Sequence, residues 1–162
     1  MQVASGKAAL VLAGGGARAA YQVGVLQALK EMLPDPSVNP FPIIAGTSAG
    51  AVNAGALACH ADDFGMAVDN LLEVWRGFEP RHVYRADIAG VTANSSRWLA
   101  SLFLGAFVRD RRMSLLDNRP LAALLARKLD FSRIEGNIAK GALDALAITC
   151  SGYTSGQSVS FF

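Results

Sequence analysis

The feature that most constrains the fold is the pentapeptide Gly-Thr-Ser-Ala-Gly at residues 46–50. It directly follows the apolar run Pro42–Ala45, which predicts a strand that enters a sharp turn. A G-x-S-x-G turn between a strand and a helix thrusts its serine hydroxyl away from the backbone, and a Cβ at Gly46 or Gly50 would collide with the neighbouring chain. The pattern therefore predicts an α/β fold in which Ser48 is a nucleophile.

A second glycine cluster, Gly14-Gly15-Gly16, follows the first apolar run of the chain, Ala8–Ala13. Both apolar runs predict strands of a parallel sheet, and the loops at the carboxyl ends of such strands bind ligands. We expect the backbone N–H groups of this loop, together with that of Ala49, to face Ser48. They would then form an oxyanion hole, which stabilises negative charge on a reacting oxygen.

The remaining apolar patterns predict alternating helices and strands. We expect helices over 19–33, 49–59, 64–76 and 121–129, and strands over 8–13, 43–47, 145–150 and 157–162, the last two antiparallel. Asp62 or Asp63 is expected to cap the helix that starts at Phe64. This alternation is typical of a doubly wound, mostly parallel sheet, and the length predicts one domain spanning 1–162.

Composition and residue spacing exclude several classes of partner and bound group. The net charge is +2 and the basic residues are scattered, which argues against a nucleic-acid partner. No apolar run approaches the roughly eighteen residues that span a bilayer, so we expect a cytoplasmic protein. His60 and His82 lack metal-ligand spacing, so we expect no metal and no cofactor. Cys59 and Cys150 lie in largely apolar stretches of sequence and are expected to be buried free thiols.

The segment Trp98–Val108 would be apolar nearly all round if it were helical. One interpretation is burial in the core. The other is a lid or interfacial surface for a lipid substrate, which would give the protein a peripheral contact with a membrane. Both interpretations stay open.

Residues Gly14–Leu26, followed by Gly46–Ala51, resemble the amino-terminal half of a bacterial patatin-like phospholipase. Ser114–Leu121 and Tyr153–Phe162 resemble two further stretches of that family, so the resemblance covers essentially the whole chain. It implies a three-layer α/β/α fold around a mostly parallel sheet. It also implies a serine lipid acyl hydrolase that acts on a lipid or acyl-ester substrate through a Ser-Asp dyad and needs no metal.

The resemblance also implies site residues. Ser48 would be the nucleophile, and Gly14, Gly15, Gly16 and Arg18 would belong to the oxyanion loop. The family's catalytic aspartate lies in an Asp-Gly-Gly or Asp-Gly-Ala motif, and no aspartate of this chain precedes a glycine. In the family that motif follows the hairpin at which this chain stops. We therefore expect an amino-terminal portion, truncated before its general base, and assign that role to no aspartate here.

Two other interpretations stay open. The glycine loop also fits G-x-G-x-x-A at Gly14, Gly16 and Ala19, a variant of the dinucleotide-binding fingerprint, although the second predicted strand ends in no acidic residue. A catalytically incompetent fragment or degenerate family member, which binds lipid or a protein partner, would also lack the aspartate.

Overall fold

The structure is a computed structural model that describes residues 6–77, 119–152 and 155–162. In chain order its elements are β1 Ala9–Leu12, a 3-10 helix Gly16–Arg18, α1 Ala19–Met32, β2 Ile43–Thr47, α2 Ala49–Cys59, α3 Phe64–Arg76, α4 Arg119–Lys128, α5 Ser132–Ala139, β3 Ala145–Ser151 and β4 Ser158–Phe161. The chain divides into two compact units, Met1–Gly77 with Leu129–Phe162, and Phe78–Lys128. Helix α4 belongs to the second unit, and the other elements belong to the first. The predicted extent of one domain over 1–162 stays a prediction.

The four strands of the described residues form one sheet in the order β1-β2-β3-β4. β1 and β3 flank β2 in parallel, and β4 pairs with β3 in the antiparallel direction. This arrangement confirms the predicted α/β class, with a mostly parallel sheet and an antiparallel return at its end.

One face of the sheet carries the hydrophobic core of the first unit. Leu12 and Ile44 are buried there, and Leu146 packs against them with buried residues of α1, α2 and α3. Right-handed crossovers that step across a sheet in one direction place their helices on the same face, which accounts for α1 and α2 lying together. The described helices of this unit thus supply one helical layer of the predicted α/β/α fold. Val11, which points to the opposite face, is 75% exposed.

Helix α2 lies close against the sheet because it is built from small residues. Ala54 and Ala58 are fully buried, and a Cβ added to Gly46 of β2 would lie only 2.6 Å from Ala54 Cβ. Interiors packed this tightly do not absorb extra atoms without a shift of the backbone. The contact therefore fixes the first two turns of α2 relative to the end of β2.

Polar contacts cap and link the helices that surround α2. Asp63 is the observed N-cap of α3, since its side chain accepts a hydrogen bond of 2.8 Å from the Met66 N–H. Lys30 of α1 pairs with Asp69 of α3 at 2.6 Å. Such partly exposed ion pairs contribute about 0–1 kcal/mol each, so they adjust the packing and do not drive it.

The two cysteines differ, although both are free. Cys59 is fully buried, and this burial raises the pKa of its thiol to about 11. Cys150 is exposed, so the prediction that it is buried was wrong. It follows Thr149, the last residue of β3 that pairs with β2, and at its position β3 pairs with β4.

The predicted apolar segment Trp98–Val108 and His82 lie outside the described residues.

Candidate active site

Ser48 is the single residue between β2 and α2, and it is exposed. Its φ of 55° and ψ of −122° make it the one non-glycine residue with a positive φ in the part of the chain that the structure describes. Such a conformation is strained by on the order of 1–3 kcal/mol, and strain of this kind concentrates at functional sites. Hydrogen bonds hold the turn in place: the Ser48 N–H donates to the Thr149 carbonyl at 3.2 Å, and its own carbonyl accepts from the Ala51 N–H at 2.9 Å.

The two glycines that flank this serine lie against other backbone segments. A Cβ at Gly46 would lie 2.6 Å from the Gly50 carbonyl oxygen and 2.7 Å from Ala51 Cα. A Cβ at Gly50 would overlap the Leu12 carbonyl and lie 2.6 Å from the Ala13 carbonyl oxygen. Since no side chain separates these backbones, the ends of β1 and β2 and the first turn of α2 meet directly around Ser48.

The glycine loop begins beside the serine. A Cβ at Gly14 would lie 3.2 Å from Ser48 Cβ and 3.9 Å from Ser48 Oγ, so the two residues are neighbours. The Gly15 carbonyl accepts a hydrogen bond of 3.2 Å from the Arg18 N–H, and Gly16 has a φ of +57°. Gly16 and Arg18 are exposed, and this turn leads the chain into α1.

Helix α2 starts immediately after Ser48. The N–H groups of Ala49 and Gly50 lie in its first turn, where a helix offers no intrahelical acceptor. The amino-terminal end of a helix also carries a partial positive charge of roughly half an elementary charge. With Gly14 next to Ser48, this end can favour a negatively charged oxygen formed at the serine.

A chain of side-chain amides behind the glycine loop was missed by the sequence analysis. Trp75 Nε1 donates to Asn53 Oδ1 at 2.9 Å, Asn53 Nδ2 donates to Gln22 Oε1 at 3.1 Å, and Gln22 Nε2 donates to the Ala13 carbonyl at 2.7 Å. Asn53 is fully buried. The available signal was an asparagine within a helix otherwise made of small and apolar residues, which requires buried hydrogen-bond partners.

Each aspartate among the described residues has a partner other than Ser48. Asp35 accepts from Ser37, Asp62 pairs with Arg133, Asp63 caps α3, Asp69 pairs with Lys30, Asp130 accepts from Ser132, and Asp144 pairs with Lys7. The hydrogen bonds from Ser37 lower the pKa of Asp35, and those from Ser132 lower the pKa of Asp130. A carboxylate with a lowered pKa is a weaker general base at neutral pH.

His60 follows α2 and thus lies at the end of that helix opposite to Ser48. Its Nε2 is 3.3 Å from Asn70 Nδ2, whereas its Nδ1 is buried without a hydrogen-bond partner. Burial lowers the pKa of the ring, and the nearby Arg133 adds to this effect. Within residues 6–77, 119–152 and 155–162, no group of three or more His, Cys, Asp or Glu could hold a metal ion. None of the helices described here is long and apolar enough to cross a bilayer.

The family model for patatin-like phospholipases matches residues 10–156, which include the glycine loop and the Gly46–Gly50 turn. No curated protein and no solved structure matches the chain.

Proposed function

We propose that this chain, which belongs to the patatin-like phospholipase family, is a serine lipid acyl hydrolase with Ser48 as nucleophile. The strained backbone of Ser48, next to Gly14, is the observation that supports this proposal most directly. Ser48 Oγ attacks the acyl carbon of the substrate and forms an acyl-enzyme as the alcohol leaves. Water then cleaves the acyl-enzyme and releases the fatty acid.

The proposal assigns the oxyanion hole to two backbone segments. Gly14, Gly15 and Gly16 supply N–H groups from the loop after β1, with Arg18 in the same turn, and Ala49 supplies one from the start of α2. Two observations support this assignment. Gly14 and Ser48 are neighbours, and the N–H groups in the first turn of α2 have no acceptor within the helix. One such donor is worth roughly 100- to 1000-fold in rate, because it acts on charge that develops in the transition state.

We assign the general base of the Ser-Asp dyad to an aspartate outside these 162 residues. This assignment is supported by the partners of every described aspartate and by the lack of an Asp-Gly sequence in the chain. A general base must lie within hydrogen-bond reach of the hydroxyl that it deprotonates. The isolated 162-residue polypeptide should therefore hydrolyse p-nitrophenyl esters far more slowly than the protein expressed from its complete reading frame.

The substrate that we propose is a lipid or a related acyl ester. We also propose that the protein is cytoplasmic and contacts a membrane surface peripherally, and the apolar sequence of Trp98–Val108 supports this contact. The dinucleotide alternative is less well supported, because β2 ends in Thr47, which Ser48 follows, and not in an acidic residue that would hold a ribose.

A non-catalytic lipid-binding protein is the second candidate, and the separate partners of the described aspartates favour it. Labelling with a fluorophosphonate distinguishes the two, since this reagent phosphonylates an exposed and activated serine. We expect labelling and ester turnover in the protein from the complete reading frame, and loss of both in Ser48→Ala. Ser37→Ala is the matched control, because Ser37 is, like Ser48, an exposed serine, and its Oγ donates a hydrogen bond of 2.6 Å to Asp35.

The outcomes separate the candidates. Turnover that persists in Ser48→Ala, or that falls equally in Ser37→Ala, would contradict the role of Ser48. Binding to phospholipid vesicles without labelling would favour the non-catalytic candidate. A rise in Tm with NAD(H) would favour the dinucleotide interpretation.

A further inference from the structure

The amide chain behind the glycine loop has a direction that is set at one end. The indole N–H of Trp75 is only a donor, so Asn53 must present its Oδ1 to it. The Asn53 Nδ2 group then donates to the Ala19 carbonyl and to Gln22 Oε1, both at 3.1 Å. Gln22 consequently turns its Nε2 toward the Ala13 carbonyl, where it donates at 2.7 Å. Each amide in the chain has one orientation that satisfies its neighbours.

The carbonyl at the end of this chain belongs to the peptide that also contains the Gly14 N–H. In a trans peptide the carbonyl oxygen and the following N–H point in opposite directions within one plane. A hydrogen bond that fixes the Ala13 carbonyl therefore fixes the direction of the Gly14 N–H. The same carbonyl lies against α2, because a Cβ at Gly50 would be 2.6 Å from it. It is thus held between α1 and α2, beside Ser48.

We propose that Gln22 and Asn53 are positioning residues that orient the Gly14 N–H for acyl transfer at Ser48. The inference rests on the proposed function of Ser48. Neither side chain needs to touch the reacting atoms, since both act through the Ala13–Gly14 peptide. A donor that binds the transition state more strongly than the substrate affects kcat, so its misorientation lowers kcat and leaves KM little changed.

Gln22→Met tests the proposal in the protein expressed from its complete reading frame. Methionine keeps the length of the side chain but donates no hydrogen bond to Ala13. A misplacement of about 1 Å costs on the order of 100-fold in rate, so we expect kcat to fall roughly 10- to 100-fold with KM unchanged. Gln27→Met is the matched control, since Gln27 lies on the same helix and donates to the exposed Glu31 at 3.1 Å.

A second variant guards against a general loss of structure. Gln22→Glu keeps the shape and still accepts from Asn53, but its carboxylate cannot donate to the Ala13 carbonyl. It should lose kcat to a similar extent as Gln22→Met. Wild-type kcat in Gln22→Glu would overturn the proposal.

The orientation of the Gly14 N–H is followed by NMR on protein labelled with 15N-glycine. The Gly14 amide signal should move in Gln22→Met and stay in place in Gln27→Met, while the Gly136 signal stays in both. An unmoved Gly14 signal, or a moved signal with unchanged kcat, would overturn the proposal. Wild-type protein without Ser48-dependent turnover would overturn the proposed function, and the Gly14 signal would then still decide whether Gln22 orients this peptide.

Discussion

Gly50→Ala tests whether direct backbone contact sets the geometry at Ser48. The new Cβ would overlap the Leu12 carbonyl and lie 2.6 Å from the Ala13 carbonyl oxygen. Non-bonded heavy atoms pack best at about 3.5–4.0 Å. The new Cβ must therefore force α2 and the backbone of Leu12 and Ala13 apart by roughly 1 Å. Overpacking of this kind lowers the free energy of unfolding by about 1–3 kcal/mol. A 1 Å displacement beside the nucleophile also lowers the rate on the order of 100-fold.

Gly55→Ala is the matched control on the same helix. A Cβ at Gly55 would lie 3.6 Å from Phe131 Cε1, which is an ordinary contact, and alanine favours the helix by about 0.5–1 kcal/mol. Urea unfolding measures the stability, and the rate of fluorophosphonate labelling measures the geometry at Ser48. We expect both to fall in Gly50→Ala and neither to fall in Gly55→Ala. Equal stability and equal labelling rates in Gly50→Ala and wild type would refute the reasoning.

Two further predictions concern the cysteines and His60, which are not part of the proposed site at Ser48. Iodoacetamide should alkylate Cys150 in the folded protein and spare Cys59, because Cys150 is exposed while burial raises the pKa of Cys59 to about 11; modification of Cys59 before unfolding would contradict this. Burial keeps the pKa of His60 below its usual 6.5, so below that pH the unfolded chain binds a proton that the folded state does not, and stability falls toward the lower folded pKa. Tm should therefore fall less in His60→Gln than in wild type between about pH 7 and pH 5. Parallel plots of Tm against pH for the two proteins would argue against a lowered pKa of His60 in the folded state.

The elements around Ser48 were predictable because local signals mark their ends. Pro42 precedes β2, the glycine-flanked serine separates β2 from α2, and Asp63 caps α3. Each signal acts through the backbone of its own segment, so no tertiary information was needed. Helix α5 was not predicted, since it has only eight residues and contains Gly136, a poor helix former.

Burial and long-range contacts were less accessible to prediction. Val25 and Leu26 are both apolar, yet Val25 is 43% exposed and Leu26 is buried, because α1 turns Val23 and Leu26 toward the core. The amide chain joins Gln22 of α1 to residues of α2 and α3, so no residue spacing within a single segment predicts it. Such contacts depend on how the helices pack, which periodicity alone does not specify.

The most direct test of the central claim is a crystal structure of the protein after fluorophosphonate has reacted with Ser48. The phosphonyl oxygen occupies the place of the oxyanion, so its neighbours identify the stabilising donors. We predict that this oxygen lies about 2.7–3.1 Å from the backbone nitrogens of Gly14 and Ala49. An oxygen that faces away from both nitrogens would contradict the account.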